Sequence, residues 1–297
     1  MDDRFTDVLG LAIGHAHDAD VRSGVTLIVP DAPVVMAVDV RGGAPGTRET
    51  DALDPINLVE RVHGLALAGG SVFGLAAADE LVLLLSGAGK GLAVGPGLPA
   101  VPVVPGAILF DITNGGDKDW GAEPPYRRLA REAWATLGQT DASGAIGAGH
   151  GARAGGWPGG IGTASTQSSA GWRVGALIAV NSFGEVYPGA PPDGAVAMPK
   201  LERLGTLAQG TRANTTIGAI ATNAPITRAQ ARRLAMMAHD GLARAIRPIH
   251  APYDGDALFA LSTAATSEGV DLPTLTELGT LAADMVARAV RRAVGYR

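Results

Sequence analysis

The chain has 297 residues and a mass of 30.0 kDa, a length that fits one large domain. Hydrophobic residues make up 46% of it and aromatic residues only 4%, so the core should be large and mainly aliphatic. The absence of cysteine excludes disulfides, thiolate metal sites and a cysteine nucleophile, and the net charge of −5 argues against a dedicated nucleic-acid binder.

The N-terminal half predicts strands, helices and one loop without a regular pattern. The runs 25–30 and 34–40 are rich in β-branched residues and are separated by Asp-Ala-Pro, which predicts a hairpin. A loop rich in glycine, proline and charge follows at 41–51. Further along, the spacing predicts helices over 57–68 and 71–85, a proline-limited edge strand within 101–112, and a surface helix over 126–137.

The C-terminal half predicts buried strands and two long helices. Glycine is densest at 144–171, and 184–213 has the composition of loop and weak helix. The predicted strands are 174–180, 217–222 and 257–263, and the predicted helices are 228–246, with a capping box at Thr227 and Gln230, and 273–294. Since no repeat or linker interrupts this order, we expect one layered α+β domain spanning 1–297.

No segment has the pattern of a secretion signal or a membrane span. The N-terminal residues lack the basic and apolar regions of a signal peptide. No uninterrupted apolar run reaches the roughly 18 residues that a spanning helix needs. We therefore expect a cytoplasmic protein with no membrane partner.

Several motif-like strings lack the residues that their chemistry needs. The glycines at 147–151 and 87–91 do not have the spacing of a dinucleotide fingerprint or a P-loop. His15, His17 and Asp18 have no second pair of metal ligands, so a polar turn is favoured. Ser71 lacks the following glycine of a nucleophile elbow and is more simply a helix N-cap, although a pairing with His63 or His239 stays open. No cofactor or metal is expected.

A hydroxyl and two carboxylates come before two of the predicted strands. Thr215 and Thr216 precede the strand at 217–222, and Asp254 and Asp256 precede the strand at 257–263. Because the starts of neighbouring strands can share one cleft, these side chains could form a catalytic site. Aspartates that flank a glycine are also ordinary turn residues, and spacing alone favours the turn.

Long strings of the sequence resemble the DmpA-type peptidase family, which includes L-aminopeptidase/D-esterases, β-peptidyl aminopeptidases and the nylon-oligomer hydrolase. The resemblance covers nearly the whole chain and is carried by RGGAPGTRETD, LAGGSVFGLAAADEL, PGGIGTAST, VGALIAVNSFGEV and NTTIGAIATNAPI. It implies a four-layer αββα sandwich and an inactive precursor that cuts itself once. It also implies a homo-oligomer, with a tetramer favoured, that hydrolyses small peptides or amino-acid amides.

The resemblance places the cut between Asn214 and Thr215, which gives fragments 1–214 and 215–297. The Asn-Thr pair is more similar to the nylon-oligomer hydrolase branch than to the Gly-Ser of the aminopeptidases. A threonine hydroxyl needs an adjacent base, and an α-amine with a pKa near 8 can accept its proton. Before the cut that nitrogen is an amide, so cleavage would also be activation.

The remaining site residues are also implied by the resemblance. Asn181 would stabilise the oxyanion, and Asp254 and Asp256 would orient and tune the nucleophile. Thr216 is a second candidate hydroxyl. Loop 41–51 and the neighbourhood of Ser71 would form the substrate pocket, including Arg48 and Glu49.

One position departs from the family pattern. Members usually carry a lysine where this chain has Pro158, so the role of that lysine is taken by another residue or is absent. Arg153 is nearby but could only be an electrostatic substitute, because a guanidinium does not deprotonate. Two alternatives therefore stand beside the hydrolase: an acyltransferase of the ornithine acetyltransferase type, and an uncut, non-catalytic homologue.

Overall fold

Two five-stranded sheets form the centre of the chain. The computed structural model describes residues 2–139, 141–194 and 214–296. The first sheet contains, in spatial order, β1 (Leu11–Asp18), β2 (Ser23–Pro30), β5 (Leu65–Ala68), β6 (Gly106–Ile108) and β4 (Thr47–Arg48). The second contains β3 (Val35–Val40), β14 (Ala257–Ser262), β12 (Thr215–Thr222), β10 (Arg173–Asn181) and β9 (Gly160–Gln167).

Within the second sheet, β12 and β14 are parallel and the other neighbours are antiparallel. Two short ladders lie outside the sheets. They pair β7 (Arg153–Ala154) with β8 (Trp157–Pro158), and β11 (Glu185–Val186) with β13 (Ile246–Arg247).

Helices cover the outer face of each sheet. The helices of the described residues are α1 (Ala76–Gly87), α2 (Tyr126–Ala135), α3 (Arg228–Ala243) and α4 (Leu272–Ala293). Short 3₁₀ turns occur at Phe5–Asp7, Asp51–Leu53, Ser71–Leu75 and Gly147–Gly149. In the described part of the chain, no helix is long and apolar enough to cross a membrane.

Three apolar layers hold these elements together. One lies between α1, α2 and the first sheet and includes Leu81 and Leu129. The second lies between the sheets and includes Leu67 and Phe259. The third lies between the second sheet and α3 and α4, around residues such as Leu234. The predicted four-layer αββα sandwich is therefore confirmed.

The predictions for the N-terminal half needed most correction. The 25–30 and 34–40 runs do form strands, but not a hairpin, because β2 pairs with β1 and β5 while β3 pairs with β14 in the other sheet. The helix predicted over 57–68 is wrong, since that segment forms turns and then β5. The strand predicted at an edge within 101–112 is β6, which lies between β5 and β4.

Two strands of the sheets have sequences that did not indicate them. His15 and His17 lie in β1 rather than in the expected polar turn. β9 lies inside the glycine-rich segment 144–171, where small residues let the backbone of α4 approach the sheet. The three strands and two helices predicted in the C-terminal half are confirmed, as is the capping box of α3. Of segment 184–213, residues 195–213 lie outside the described residues.

Gly162 should be the most sensitive of the packing glycines on β9. A Cβ there would overlap the main-chain carbonyl of Ala289 in α4, so Gly162→Ala must separate strand and helix. We expect the free energy of unfolding to fall by about 1–3 kcal/mol, measured by urea denaturation. Gly87→Ala is the matched control, since a Cβ at Gly87 meets nothing within 4 Å and should change stability by less than about 0.5 kcal/mol. Equal stability of the two variants would contradict close packing at Gly162.

Two buried histidines should make the fold sensitive to acid. Burial lowers the pKa of both His15 and His239 to about 4, whereas an unfolded chain has a histidine pKa of about 6.5. Between these values the unfolded chain binds protons that the folded chain does not, so the free energy of unfolding should fall as the pH drops from 6.5 to 4. His15→Asn should shrink the difference in melting temperature between pH 7 and pH 4.5. An unchanged difference would argue against His15 as one of the groups responsible.

Candidate active site

The pleat of β12 separates its two threonines. Antiparallel pairing with β10 places Thr215 opposite Asn181. Side chains alternate along a strand, and Ile217 belongs to the core between the sheets. Thr215 therefore faces the space between the sheets, whereas Thr216 faces the helical layer on the same side as Ile220.

The Thr215 hydroxyl lies against the peptide bond that precedes it. Its Oγ1 donates to the main-chain oxygen of Asn214 at 2.5 Å. The N–H of Gly255 donates to the same oxygen at 2.9 Å, and the Asn214 N–H donates to the carbonyl of Tyr253 at 3.1 Å. Only 1% of Thr215 is exposed. The carbonyl of Asn214 thus receives one hydrogen bond from a hydroxyl and one from a backbone amide.

Asp254 joins three backbone segments at the start of β14. Its Oδ1 accepts from the N–H of Phe183 at 3.2 Å, and its Oδ2 accepts from the N–H of Ala251 at 3.1 Å. Its carbonyl accepts from the N–H of Ala44, which belongs to the 41–51 loop. The carboxylate is fully buried. Asp254 therefore fixes the loops that surround the Asn214 peptide.

Asp256 binds the main chain of β12 at the residue after Thr215. Its Oδ1 accepts from the N–H of Thr216 at 2.7 Å. Its Oδ2 accepts from His250 twice, from the main-chain N–H at 3.1 Å and from Nδ1 at 2.8 Å. His250 was missed in the sequence, where a histidine six residues before an aspartate follows no known spacing rule.

Asn181 is held by main-chain and side-chain partners. Its Oδ1 accepts from the N–H of Arg153 at 2.9 Å and from Nδ2 of Asn114 at 3.0 Å. Its Nδ2 donates to the carbonyl of Phe110 at 2.9 Å. An amide nitrogen carries two hydrogens, so it can also donate to a second acceptor. Asn114 is a further residue that the sequence did not reveal.

The 41–51 loop packs directly on both aspartates. A Cβ at Gly42 would overlap the carbonyl of Asp254 and the N–H of Asp256, so only glycine fits there. The side chains expected in the pocket have other partners: Arg48 forms an ion pair with Asp79 of α1, and Glu49 accepts from the N–H of Val104.

Ser71 is not the N-cap that the sequence predicted. Gly70 occupies the capping position, and Ser71 has a left-handed φ of 53° as the first residue of the 3₁₀ turn. Its N–H donates to the carbonyl of Leu109, next to the Phe110 carbonyl that holds Asn181. The structure therefore places Ser71 near the candidate site through this backbone link.

A buried carboxylate binds the main chain at the start of the Ser71 turn. Asp111 accepts from the N–H of Gly70 and from Oγ of Ser23, both at 2.7 Å. Burial raises the pKa of Asp111, and the half-buried ammonium of Lys118 acts in the opposite direction. Burial in turn lowers the pKa of Lys118, while Asp111 raises it. The two groups form a second polar cluster next to the site.

The position at which a lysine was expected is apolar. Pro158 is exposed in β8 and lines a cavity of about 440 Å³ together with Trp157, Val186 and Tyr296. Arg153 approaches Asn181 through its main-chain N–H rather than its guanidinium. Within the described ranges, no group of three or more histidine, aspartate or glutamate side chains could hold a metal ion.

Relatives of known class match almost the whole chain. An uncharacterized aminopeptidase of Mycobacterium tuberculosis (strain ATCC 25618 / H37Rv) is 43% identical over 320 residues, which cover 96% of this chain and 91% of the relative. The 6-aminohexanoate-oligomer endohydrolase of Agromyces sp. is 28% identical over 331 residues, which cover 97% of this chain and 84% of the relative.

Solved structures show the same fold at lower sequence identity. A β-aminopeptidase of Burkholderia sp. superposes with a TM-score of 0.76 at 24% identity, covering 99% of this chain and 86% of its own. The L-aminopeptidase D-Ala-esterase/amidase of Ochrobactrum anthropi, described as a variant of the Ntn-hydrolase fold, gives 0.75 at 21% identity and covers 98% and 85%. Peptidase family S58 matches residues 3–296, so the chain belongs to this family and is a hydrolase of amide or peptide bonds.

Proposed function

We propose that the chain cuts itself between Asn214 and Thr215 and then works as an N-terminal-threonine hydrolase. The observation that carries this proposal is the 2.5 Å contact between Thr215 Oγ1 and the carbonyl oxygen of Asn214. The hydroxyl therefore contacts the carbonyl group whose carbon it would attack. The buried hydroxyl of Thr216, which faces the helical layer, has no hydrogen-bond partner among the described residues.

The cutting step follows from these contacts. Thr215 Oγ1 adds to the carbonyl carbon of Asn214, and the negative charge on the oxygen is stabilised by the N–H of Gly255. The C–N bond between the two residues then breaks, and the hydroxyl proton passes to the departing nitrogen. Water hydrolyses the resulting ester, which leaves a carboxylate on Asn214 and a free α-amine on Thr215.

The released α-amine makes the second reaction feasible. It accepts the proton of the Thr215 hydroxyl while Oγ1 attacks the carbonyl of a substrate amide. Asn181, which faces Thr215 across the β10–β12 ladder, would donate its second amide hydrogen to the new oxyanion. The leaving amine takes the proton, and water releases the acyl group from Oγ1.

The substrates proposed are small peptides or amides of amino acids. Membership of a peptidase family supports the bond type, and the two relatives described above are named as an aminopeptidase and an amide-oligomer hydrolase. We further propose that the protein works in the cytoplasm without a cofactor, as a homo-oligomer for which a tetramer is the favoured state.

Denaturing mass spectrometry of the purified protein tests the proposal. Scaling 30.0 kDa by 214 of 297 residues gives fragments of about 21.6 and 8.4 kDa. N-terminal sequencing of the smaller fragment should begin at Thr215. A single 30 kDa species after long incubation would reject self-cleavage, and a fragment that begins at Thr216 would reject the choice of nucleophile.

A further inference from the structure

We infer that His250 is a positioning residue that, through Asp256, fixes the new N-terminus at Thr215 after the cut. The inference rests on the proposed function, because only a cut chain has a terminus at this residue. It concerns a side chain that touches neither the Thr215 hydroxyl nor the Asn214 carbonyl in the contacts described above.

The cut removes one anchor from the start of β12. Before it, the parallel β12–β14 ladder extends to a bridge between Asn214 and Asp254. The regular part of this ladder begins only at Ile217 and Ala257. After the cut, the Asn214 part of the bridge is no longer bonded to residue 215, so the first two residues of the new chain lose that restraint on their β14 side.

The carboxylate of Asp256 fills this gap in the ladder. The N–H of Thr216 donates to Asp256 Oδ1 at 2.7 Å, where a strand would otherwise offer a backbone carbonyl. The amine and the hydroxyl of the proposed nucleophile both project from Thr215 Cα, which belongs to the plane of the peptide between Thr215 and Thr216. Fixing the N–H of this peptide therefore fixes the position of the Cα that carries both groups.

His250 in turn fixes the carboxylate. Its N–H and its Nδ1 both bind Asp256 Oδ2, so Nδ1 must carry the proton. The residue has a left-handed φ of 55°, a conformation that histidine adopts far less often than the common regions, and one that directs both donors to the same oxygen. Asp256 is fully buried, so these donors replace the water that would otherwise bind its second oxygen.

The surroundings of His250 come from three further elements. His239 of α3 lies edge to face at 4.8 Å between ring centroids. Asp39 of β3 lies beyond it, 3.6 Å from His239 Nε2, and Arg41 binds Asp39. Burial keeps the pKa of His239 at about 4, so it is neutral at pH 7 and adds no charge beside His250.

Three substitutions separate the hydrogen bond from the ring and the backbone. His250→Asn keeps a donor in the place of Nδ1 and tolerates a positive φ. His250→Gly tolerates the same φ but has no side-chain donor. His250→Phe keeps a ring beside His239 without the donor. Arg22→Gly, at an exposed residue that also has a left-handed φ, of 53°, is the control for the substitution itself.

The readouts are the hydrolysis of L-alanine p-nitroanilide and a cell-free pulse-chase of self-cleavage. We expect His250→Gly and His250→Phe to lower kcat by roughly 10- to 100-fold with little change in KM, as for a misplaced reacting group. The pulse-chase should slow less, because Asn214 still tethers Thr215. His250→Asn should recover most of kcat, and Arg22→Gly should match the wild type.

If the wild type is cut and active and both the glycine and phenylalanine variants keep its kcat, the role of His250 is overturned and the proposed function is not. Asparagine as impaired as glycine would overturn the hydrogen-bond account. A fall in melting temperature at unchanged kcat would show a structural role only. A wild type that stays uncut, or that is cut but hydrolyses neither the p-nitroanilide nor an alanine dipeptide, would overturn the proposed function and this inference with it. If the dipeptide alone is hydrolysed, the same kcat comparison of the variants is made with the dipeptide.

Discussion

Replacing Thr215 with alanine should leave a single 30 kDa chain that hydrolyses no amide. The substitution removes the hydroxyl that contacts the Asn214 carbonyl, and the loss of a catalytic nucleophile costs about 10⁶-fold in rate. Mass spectrometry and an assay with p-nitroanilides follow both activities. Thr215→Ser should restore the cut, because it keeps the hydroxyl. Cleavage in the alanine variant would rule out Thr215 as the nucleophile.

Thr216→Val is the matched control for this experiment. Valine has nearly the shape of threonine, and the Thr216 hydroxyl is buried without a hydrogen-bond partner among the described residues. The backbone N–H that binds Asp256 is retained in valine. We expect normal cutting and slightly higher stability, since an unsatisfied polar group is removed. Loss of cutting in Thr216→Val, with cutting in Thr215→Ala, would reverse the assignment of the two residues.

Gly255→Pro should slow self-cleavage by about 10²–10³-fold relative to Gly255→Ala. Both substitutions place a Cβ close to Thr215 Oγ1, at 2.9 Å, and to the carbonyl of Ala44, at 2.6 Å. Only proline also removes the N–H that donates to the Asn214 carbonyl. The expected ratio is the effect of removing one donor from a developing oxyanion. A cell-free pulse-chase resolved on a gel measures it.

The fold of these two variants has to be compared in the uncut state. Each Gly255 substitution is combined separately with Thr215→Ala, which gives two precursors that cannot be cut. The melting temperatures of these precursors then compare the stability of the uncut fold. Similar melting temperatures with different cutting rates would support the oxyanion role of Gly255. Equal cutting rates in the two variants would show that the N–H of Gly255 is only part of the sheet.

In the C-terminal half, the strands that the sequence predicted correctly are those whose residues are nearly all apolar or small. The strands at 174–180, 217–222 and 257–262 are buried on both faces, which produces a nearly unbroken apolar pattern. β9, in contrast, reads GIGTASTQ. Its small residues allow the close approach of α4. This approach depends on tertiary packing, which a local sequence pattern does not predict.

The hairpin error has a different cause. The runs at 25–30 and 34–40 are true strands with a turn between them, and nothing local distinguishes pairing within one sheet from crossing to another. The strand β3 pairs with β14, which lies near the other end of the chain, so its partner is set by residues far away in the sequence. At the site, the directions of the Thr215 and Thr216 side chains had the same character, because they follow from the pleat of β12 only once the facing core is known.

The resemblance supplied the family, the fold and the candidate residues, but not their arrangement. It did not indicate that Asp256 binds the N–H of Thr216, or that His250 and Asn114 support the site. These contacts depend on loops whose paths are fixed by long-range hydrogen bonds. The sequence spacing indicated that the aspartates could lie near the threonines. The structure shows that Asp254 binds the neighbouring loops, whereas Asp256 binds the main chain of β12.

The strand order of the second sheet determines what a cut at residue 214 can release. The strands β14 and β12 lie at its centre and would belong to the smaller fragment, whereas β3, β10 and β9 on either side would belong to the larger one. Separating the fragments would require two full ladders to unzip at once. The cut protein should therefore behave as a stable heterodimer whose fragments do not exchange on dilution. Each fragment would need the other to fold.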